Sequence, residues 1–284
     1  MKSLVISVKR INRYLAWVVF ALVAGAVTFY IQGCGGPPLK PWHTEELTEE
    51  FTADMADEIR TFDDYRQLED QLFAQLAEKV YARTETGPEY ALVRYSTGSA
   101  ADPQQRRPNW NRSFEHPADT PVGGVLLLHG MSDSPYSLRA LGERLKQRDY
   151  WVIGLRLPGH GTAPSGLKHV NWQDMTAAVR LGMTRLASNV GQKPLHIVGY
   201  SNGAPLAINY TLDALEDSTL PVPASLVLIS PAIGLHPAAA LAKWKRRLSI
   251  LPGLGGSPGY RLCLNSIRTN TTPLPPMPPN RFTP

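Results

Sequence analysis

The chain has 284 residues, 43% hydrophobic and 19% charged, which is typical of one globular domain and excludes a disordered polyelectrolyte. The net charge of +5 comes from the ends, because four basic residues precede Tyr14 and three follow Gly255, in segments without acidic residues. The body between them is slightly acidic, so nucleic acid is not an expected partner. The two cysteines, Cys34 and Cys263, lie in these end segments and exclude a disulfide framework.

The first element is an apolar run, Tyr14 to Ile31, without a charged residue. It is just long enough for a helix that spans a bilayer, which takes about 20 residues. Because basic residues precede the run and none follows it closely, the N-terminus is predicted to stay in the cytoplasm. The run is therefore predicted to be a single-pass transmembrane signal-anchor in a bacterial inner membrane, with the body in the periplasm.

An alternative for the same segment is a lipoprotein signal. Ile31-Gln32-Gly33-Cys34 resembles a bacterial lipobox, with Gln32 as an atypical member, and would make Cys34 the lipidated residue. Simple cleavage or a buried helix are further alternatives. Both main hypotheses place the body outside the cytoplasm and attach it to a membrane.

The remaining chain divides by composition into a linker with a helical N-terminal extension, a core and a tail. In the extension, apolar residues from Phe51 to Phe62 recur at helical spacing, and Tyr65 to Arg83 predicts a second helix. Acidic residues here are predicted to be a solvated face, not a metal site. Leu92 to Tyr95 predicts a strand, and 102–117 a loop. The predicted segments are the signal segment 1–34, the linker and extension 35–120, the α/β core 121–255 and a Pro/Thr-rich tail 256–284.

From Pro121 onward, short apolar strands alternate with amphipathic helices. Strands that are apolar throughout predict a mostly parallel central sheet with helices on both faces, which is an α/β fold. The functional loops of such a sheet lie at the carboxyl ends of its strands. The predicted strands are Val125–His129, Tyr150–Leu155, Leu195–Val198 and Leu226–Ile229, and the helices are Ser137–Gln147, Asn171–Ser188 and Ala204–Leu215.

One strand-to-helix junction carries the sequence Gly199-Tyr200-Ser201-Asn202-Gly203. A G-x-S-x-G sequence in this position is typical of the nucleophile elbow, a sharp turn that raises a serine hydroxyl above the sheet. Gly199 and Gly203 are predicted to be glycines because a larger side chain would collide with the neighbouring strand or helix. The alternative is a Gly-rich loop whose serine has no catalytic role. The neighbouring motifs decide between the two interpretations.

Those motifs are Leu128-His129-Gly130-Met131-Ser132-Asp133-Ser134 and Arg156-Leu157-Pro158-Gly159-His160-Gly161, both at predicted strand ends. Together with the elbow they resemble the α/β-hydrolase family, in its serine aminopeptidase and monoglyceride-lipase-like branch. The resemblance implies that Ser201 attacks an acyl carbonyl and that the backbone N–H groups of Met131 and Asn202 hold the oxyanion. It also implies an acyl-ester or lipid-like substrate and no cofactor. The sequence has no H-E-x-x-H and no paired His/Asp spacing, so no metal site is expected.

The base and acid that would activate Ser201 are missing from the expected positions. In this fold the order is serine, acid, histidine, and Pro284 is reached before the later two can appear. Asp213, Glu216 and Asp217 follow the serine too closely, while His129 and His160 are predicted to shape loops and His196 to point away. The triad is therefore predicted to be incomplete and the chain to have near-background activity. Alternatives are a non-catalytic binding module and a non-functional fragment.

The tail after Gly255 loses the apolar periodicity of the core. A natural disordered end is one explanation. The hypothesis preferred here is a frameshift near Gly255-Gly256. Suitable synonymous codons, read in another frame, give an aromatic-rich amino-acid sequence that resembles the cap segment of this hydrolase branch.

Overall fold

The computed structural model describes residues 2–33 and 39–233, and the chain divides into two compact units. The described part of the first unit is helix α1, Lys2–Gly33, whose side chains are described from Arg13 to Thr28. Within the described residues, no helix combines the length and apolarity needed to cross a membrane. Cys34, the tail 256–284 and the frameshift position lie outside the described residues.

The second unit is built on a five-stranded sheet with the order β1-β3-β2-β4-β5. Only β1 runs antiparallel, and the other pairings are parallel. Leu128 is in register with Leu155 and with Gly199, so the ends of the three central strands lie side by side. The strands are β1 Phe114–His116, β2 Gly123–Leu128, β3 Tyr150–Leu155, β4 Leu195–Tyr200 and β5 Ser225–Ile229.

Helices cover both faces of this sheet, which confirms the predicted α/β architecture. On one face, α5 and α6 pack on alternate residues of the central strands, such as Leu126, Ile153 and Ile197. On the other face, α4 packs on the intervening residues, such as Leu127 and Val152. The helices of this unit are α2 Pro41–Thr44, α3 Phe62–Lys79, α4 Arg139–Lys146, α5 Trp172–Val190 and α6 Gly203–Glu216.

The extension contains one long helix, α3, instead of the two that the spacing predicts. The stretch before it is irregular apart from a single 3₁₀ turn, Ala53–Met55, and the prediction of a helix from Phe51 to Phe62 is wrong. Tertiary partners replace the helical hydrogen bonds: the Ala53 N–H donates to Asp174 Oδ1 at 2.7 Å. Phe51 and Phe62 are nevertheless buried in the main core. These residues are apolar because they pack in the core, and their spacing does not indicate a helix.

Two further predictions in this part are wrong. Leu92 to Tyr95 forms turns and not a strand, because side chains such as Tyr95 are used to anchor a neighbouring loop. Conversely, the stretch predicted to be loop, 102–117, contains β1, where Phe114 packs against the Cα face of Gly154 in β3. A three-residue strand within an Arg/Pro/Asn-rich segment has too little periodicity to be detected.

Candidate functional site

The elbow serine stands at the carboxyl end of β4. Ser201 has a φ of 51°, a left-handed conformation that non-glycine residues rarely adopt. Its N–H donates to Ile229 O of β5 at 2.9 Å, and its carbonyl accepts from Ala204 N–H at 3.2 Å. The chain therefore turns within a few residues from strand to helix with the serine at the apex. Strained backbone of this kind is concentrated at functional sites.

The two elbow glycines are required by close backbone contacts. A Cβ on Gly199 would lie 2.5 Å from Gly203 O, and one on Gly203 would lie 2.3 Å from Leu128 O. Both distances are far below any normal contact between nonbonded atoms, and the obstructing atoms belong to the backbone. Helix α6 can therefore approach β2 and β4 this closely only because these positions lack side chains.

The loop after β2 lies directly against the elbow. A Cβ on Gly130 would lie 3.2 Å from both Ser201 Cβ and the Tyr200 ring. Beyond Gly130 the side chain of Met131 is exposed, and Ser132 has a φ of 57°. Among the described residues, no acceptor is found for the backbone N–H groups of Met131 and Asn202. Within the described part of the chain, two N–H groups without an acceptor thus belong to the loops beside Ser201.

His129 sits beneath this loop and is completely buried. Its Nε2 accepts a hydrogen bond from Leu157 N–H at 3.0 Å, and its Nδ1 lies 2.8 Å from Gly130 O. Burial, followed by the nearby His160 ring, holds the pKa of His129 well below its ordinary value. The imidazole is therefore neutral, and its two nitrogens are occupied by backbone groups.

The loop after β3 is anchored by a buried guanidinium that sequence reasoning missed. Arg156 is 1% exposed and pairs with both oxygens of Glu50, at 2.9 and 3.0 Å, and with Glu69 at 2.7 Å. Burial alone would lower the pKa of Arg156, but Glu50, Tyr65 and Glu69 hold it well above its ordinary value. The prediction that the acidic residues of the extension are a solvated face is thus wrong for Glu50, which is 8% exposed.

The same extension fastens the rest of this loop through hydrogen bonds to its carbonyls. The Tyr65 hydroxyl donates to Arg156 O at 2.6 Å, and Arg94 donates to Gly161 O at 3.1 Å. The Tyr95 hydroxyl donates to Thr162 O at 3.0 Å. The only hint in the sequence was a charged residue, Arg156, at the end of an otherwise apolar strand, which requires a buried partner.

His160 lies in this anchored loop and is not on an open rim. It is 2% exposed, its Nδ1 is 2.8 Å from Pro158 O, and its ring stacks edge-on against His129. Its Nε2 is buried and has no partner among the described residues. Burial lowers the pKa of His160, so this ring too is neutral near pH 7.

No described imidazole is hydrogen bonded to Ser201. His196 contacts Ser225 Oγ at 2.8 Å, and His169 lies 3.6 Å from Glu46, while His129 and His160 bind loop backbone as described. The rings of His43 and His116 contact aromatic neighbours elsewhere.

The carboxylates that follow the elbow are likewise directed elsewhere in the described structure. Asp213 pairs with Arg180 at 2.8 Å. Asp217 accepts from the Thr219 hydroxyl and N–H, and these hydrogen bonds lower its pKa. The described residues thus bring together a serine and two N–H donors, but neither a base nor an orienting acid.

Residues 119–260 match the family described as serine aminopeptidase, S33. Over 110 residues the chain is 32% identical to a thermostable monoacylglycerol lipase from Bacillus sp. (strain H-257), covering 39% of this chain and 43% of that protein. Over 104 residues it is 35% identical to the magnesium-chelatase 30 kDa subunit of Rhodobacter capsulatus, covering 34% and 32%.

Among solved structures, one described with the metagenome-derived lipolytic enzymes LipS and LipT is 27% identical, with a TM-score of 0.40. That match covers 46% of this chain and 50% of the other. The chain matches less than half the length of both curated relatives.

Proposed function

Because the chain belongs to the serine aminopeptidase S33 family of α/β-hydrolases, we propose that it carries the nucleophile and oxyanion half of a serine hydrolase that cleaves an ester-type acyl bond. The observation that carries this proposal is Ser201 at a φ of 51°, beside two N–H groups that find no acceptor among residues 39–233. The proposed roles are nucleophile for Ser201, oxyanion donors for Met131 and Asn202, and close-packing positions for Gly199 and Gly203.

The reaction follows from these roles. Ser201 Oγ attacks the carbonyl carbon of the ester, and its proton passes to a base. The N–H groups of Met131 and Asn202 stabilise the negative oxygen of the tetrahedral intermediate, each such hydrogen bond being worth about 3 kcal/mol of barrier. The intermediate collapses and expels an alcohol, which receives the proton, and water then hydrolyses the acyl-enzyme.

The proposed substrate is a lipid-like acyl ester, with amides less favoured. This choice is supported by the monoacylglycerol lipase among the relatives. It is an inference from family and fold, and the described residues alone do not distinguish one acyl group from another.

We further propose that the 284-residue chain turns over near background, since no described imidazole or carboxylate is placed to accept the Ser201 proton. Removal of the base leaves at most binding and oxyanion stabilisation, roughly 10³–10⁴ over water in a serine hydrolase, and a rate near background here means a rate at or below this residual. Free imidazole in the buffer can supply a base where the described residues place none beside Ser201.

The test is hydrolysis of a short-chain p-nitrophenyl ester by the full chain with and without imidazole. We expect a rate near background alone and an imidazole-dependent rate above that of imidazole itself, lost in Ser201→Ala. Ser132→Ala is the matched control, because Ser132 has the same kind of backbone strain but no proposed role in the reaction. An imidazole-dependent rate equal in Ser201→Ala would contradict the proposal.

The second candidate function is a binding module that keeps the hydrolase surface without turnover. It is favoured by the absence of a described histidine on Ser201. In that case a non-hydrolysable ether analogue of the ester would raise the unfolding temperature of the chain, while imidazole would produce no Ser201-dependent rate. A Ser201-dependent rate would exclude it.

We propose that the N-terminal segment tethers the body to a bacterial inner membrane on its periplasmic side. The support is the uncharged run Tyr14 to Ile31 behind a basic N-terminus. The full chain should remain in the membrane fraction after alkaline extraction. Intact mass of the membrane-extracted protein distinguishes the two hypotheses, since a lipidated protein begins at an acylated Cys34, whereas a transmembrane anchor keeps residues 1–33.

A further inference from the structure

The tautomer of His129 can be read from its hydrogen bonds. Leu157 N–H is a donor only, so the His129 Nε2 that lies 3.0 Å away must be an unprotonated acceptor. In a neutral imidazole the proton is then on Nδ1. Nδ1 lies 2.8 Å from Gly130 O, so it donates to that carbonyl. The ring thus spans the loops after β2 and β3 in one defined orientation.

The carbonyl that His129 holds belongs to the same peptide group as the Met131 N–H. A peptide group is planar and trans, so its C=O and N–H point in opposite directions and cannot be turned independently. Fixing Gly130 O from beneath therefore fixes the direction of the Met131 N–H above. A hydrogen bond accepted by the carbonyl also polarises the peptide and strengthens its N–H as a donor.

The other end of the ring is bound by Leu157 N–H, and the extension, which precedes the family-matched residues 119–260, fixes that loop through Arg156. Leu157 follows Arg156, whose guanidinium is fixed by Glu50 and Glu69 and whose carbonyl accepts from Tyr65. The Arg156 N–H in turn donates to Ser113 Oγ at 2.9 Å. The peptide that donates to His129 is thus held on both sides by buried polar groups.

We propose that His129 is a positioning residue that aims the Met131 N–H at the oxyanion, and that Glu50 and Glu69 steady it from the extension through Arg156. The inference rests on the proposed function for the role of Met131. It assigns His129 no proton transfer in the reaction. His129 is part of the oxyanion site through the peptide that it orients.

Two isosteric substitutions separate the two ends of the ring. In His129→Asn the amide nitrogen takes the place of Nδ1 and can still donate to Gly130 O, whereas the acceptor for Leu157 is lost. In His129→Gln the amide oxygen takes the place of Nε2 and can still accept from Leu157, whereas the donor to Gly130 is lost. Both substitutions remove an imidazole from the same buried position. If His129 had a purely structural role, the two variants would lose similar amounts of hydrolysis rate.

The first readout is the imidazole-dependent, Ser201-dependent hydrolysis rate, with the unfolding temperature measured beside it. We expect His129→Asn to keep the rate within about threefold, and His129→Gln to lose about 10- to 100-fold, less than the ~10²–10³ for removing an oxyanion donor. Equal losses in the two variants, or a larger loss in His129→Asn, would overturn the inference.

The second readout does not depend on reactivity. In chain labelled with ¹⁵N-histidine, NMR should show His129 as the neutral Nδ1–H tautomer. In chain labelled with ¹⁵N-methionine, the Met131 amide signal, identified by its loss in Met131→Leu, should move in His129→Gln and stay near its position in His129→Asn. An Nε2–H tautomer of His129 would refute the positioning role even if no hydrolysis is observed. A Met131 amide signal that keeps its position in His129→Gln would refute it as well. Loss of hydrolysis in the unmodified chain with the expected NMR result would instead refute the proposed function alone.

Discussion

At the scale of single residues, the elbow depends on two positions where a methyl group has no room. The nearest obstacle to a Cβ on Gly203 is Leu128 O, a backbone atom at the end of the central strand β2, so side-chain rotation cannot relieve the contact. Overpacking of this kind costs typically 1–3 kcal/mol and occasionally more.

We predict that Gly203→Ala lowers the free energy of unfolding by about 3 kcal/mol, measured by urea denaturation of the full chain. Gly191→Ala is the matched control, because Gly191 has a φ of 61° but nothing within 4 Å of an added Cβ. An alanine at Gly191 therefore meets no neighbour, and its only cost is the backbone strain at φ 61° and ψ −128°, about 1–3 kcal/mol. A Gly203→Ala variant no less stable than Gly191→Ala would contradict the steric account.

Much of the candidate site could be predicted at this scale, because the elbow and its neighbouring loops follow local patterns. Gly-x-Ser-x-Gly between a strand and a helix needs only a few adjacent residues to be recognised. The hydrogen bonds of His129 could not be predicted in the same way, since Leu157 is far from it in sequence and donates through its backbone. Every residue except proline has a backbone N–H, so the residue type at position 157 does not indicate that it donates to His129.

At the scale of elements, the core strands were predicted well and the extension was not. Strand β3 begins and ends where the apolar run Tyr150–Leu155 does, since a buried parallel strand is apolar on both faces. The stretch before α3 has helical spacing, but Glu50 and Ala53 have tertiary partners that a helix would not provide. Its structure is set by contacts more than 100 residues away in the sequence.

Glu69 joins α3 to the loop after β3 through buried hydrogen bonds. Glu69 accepts from Arg156 Nε and from both the N–H and the hydroxyl of Ser113, and it is 3% exposed. Removing one partner of a buried ion pair costs about 3–5 kcal/mol, because the remaining charge is left without compensation. Glu50 still pairs with Arg156 when Glu69 is removed, so we expect a cost at the lower end of this range.

We predict that Glu69→Ala destabilises the chain by about 3 kcal/mol in urea denaturation, and that the exposed Glu58→Ala has an effect within about 0.5 kcal/mol. The two residues are of the same type in the same extension and differ in burial. An equal, small effect of both substitutions would show that the Arg156 cluster does not hold the extension to the sheet.

At the scale of the whole molecule, three neutral histidines link stability to pH. The pKa values of His129, His160 and His116 are lowered, in each case chiefly by burial. The unfolded chain takes up protons at these positions near pH 6.5, whereas the folded chain does not until a lower pH. The unfolded state therefore binds more protons in this window, and stability falls as the pH falls below about 6.5.

We predict that the free energy of unfolding decreases from about pH 7 to about pH 5, with a slope of up to ~1.4 kcal/mol per pH unit for each such histidine. His160→Asn keeps a donor near Pro158 O and removes one titrating group, so it should flatten the slope. Asp64 and Asp217 have lowered pKa values and lose their contribution only below about pH 4, outside this window. Stability that is constant between pH 7 and pH 5 would contradict the neutral, buried state of these rings.

The reactivity of Ser201 decides between an active nucleophile and one without a base. The measurement is intact-mass and peptide mass spectrometry of the full chain after exposure to a fluorophosphonate, with and without free imidazole. We expect no adduct without imidazole, and with imidazole an adduct on Ser201 that is absent from Ser201→Ala. Rapid labelling of Ser201 without imidazole would show that the chain itself supplies a base, and an imidazole-dependent adduct on another residue would show that Ser201 is not the nucleophile.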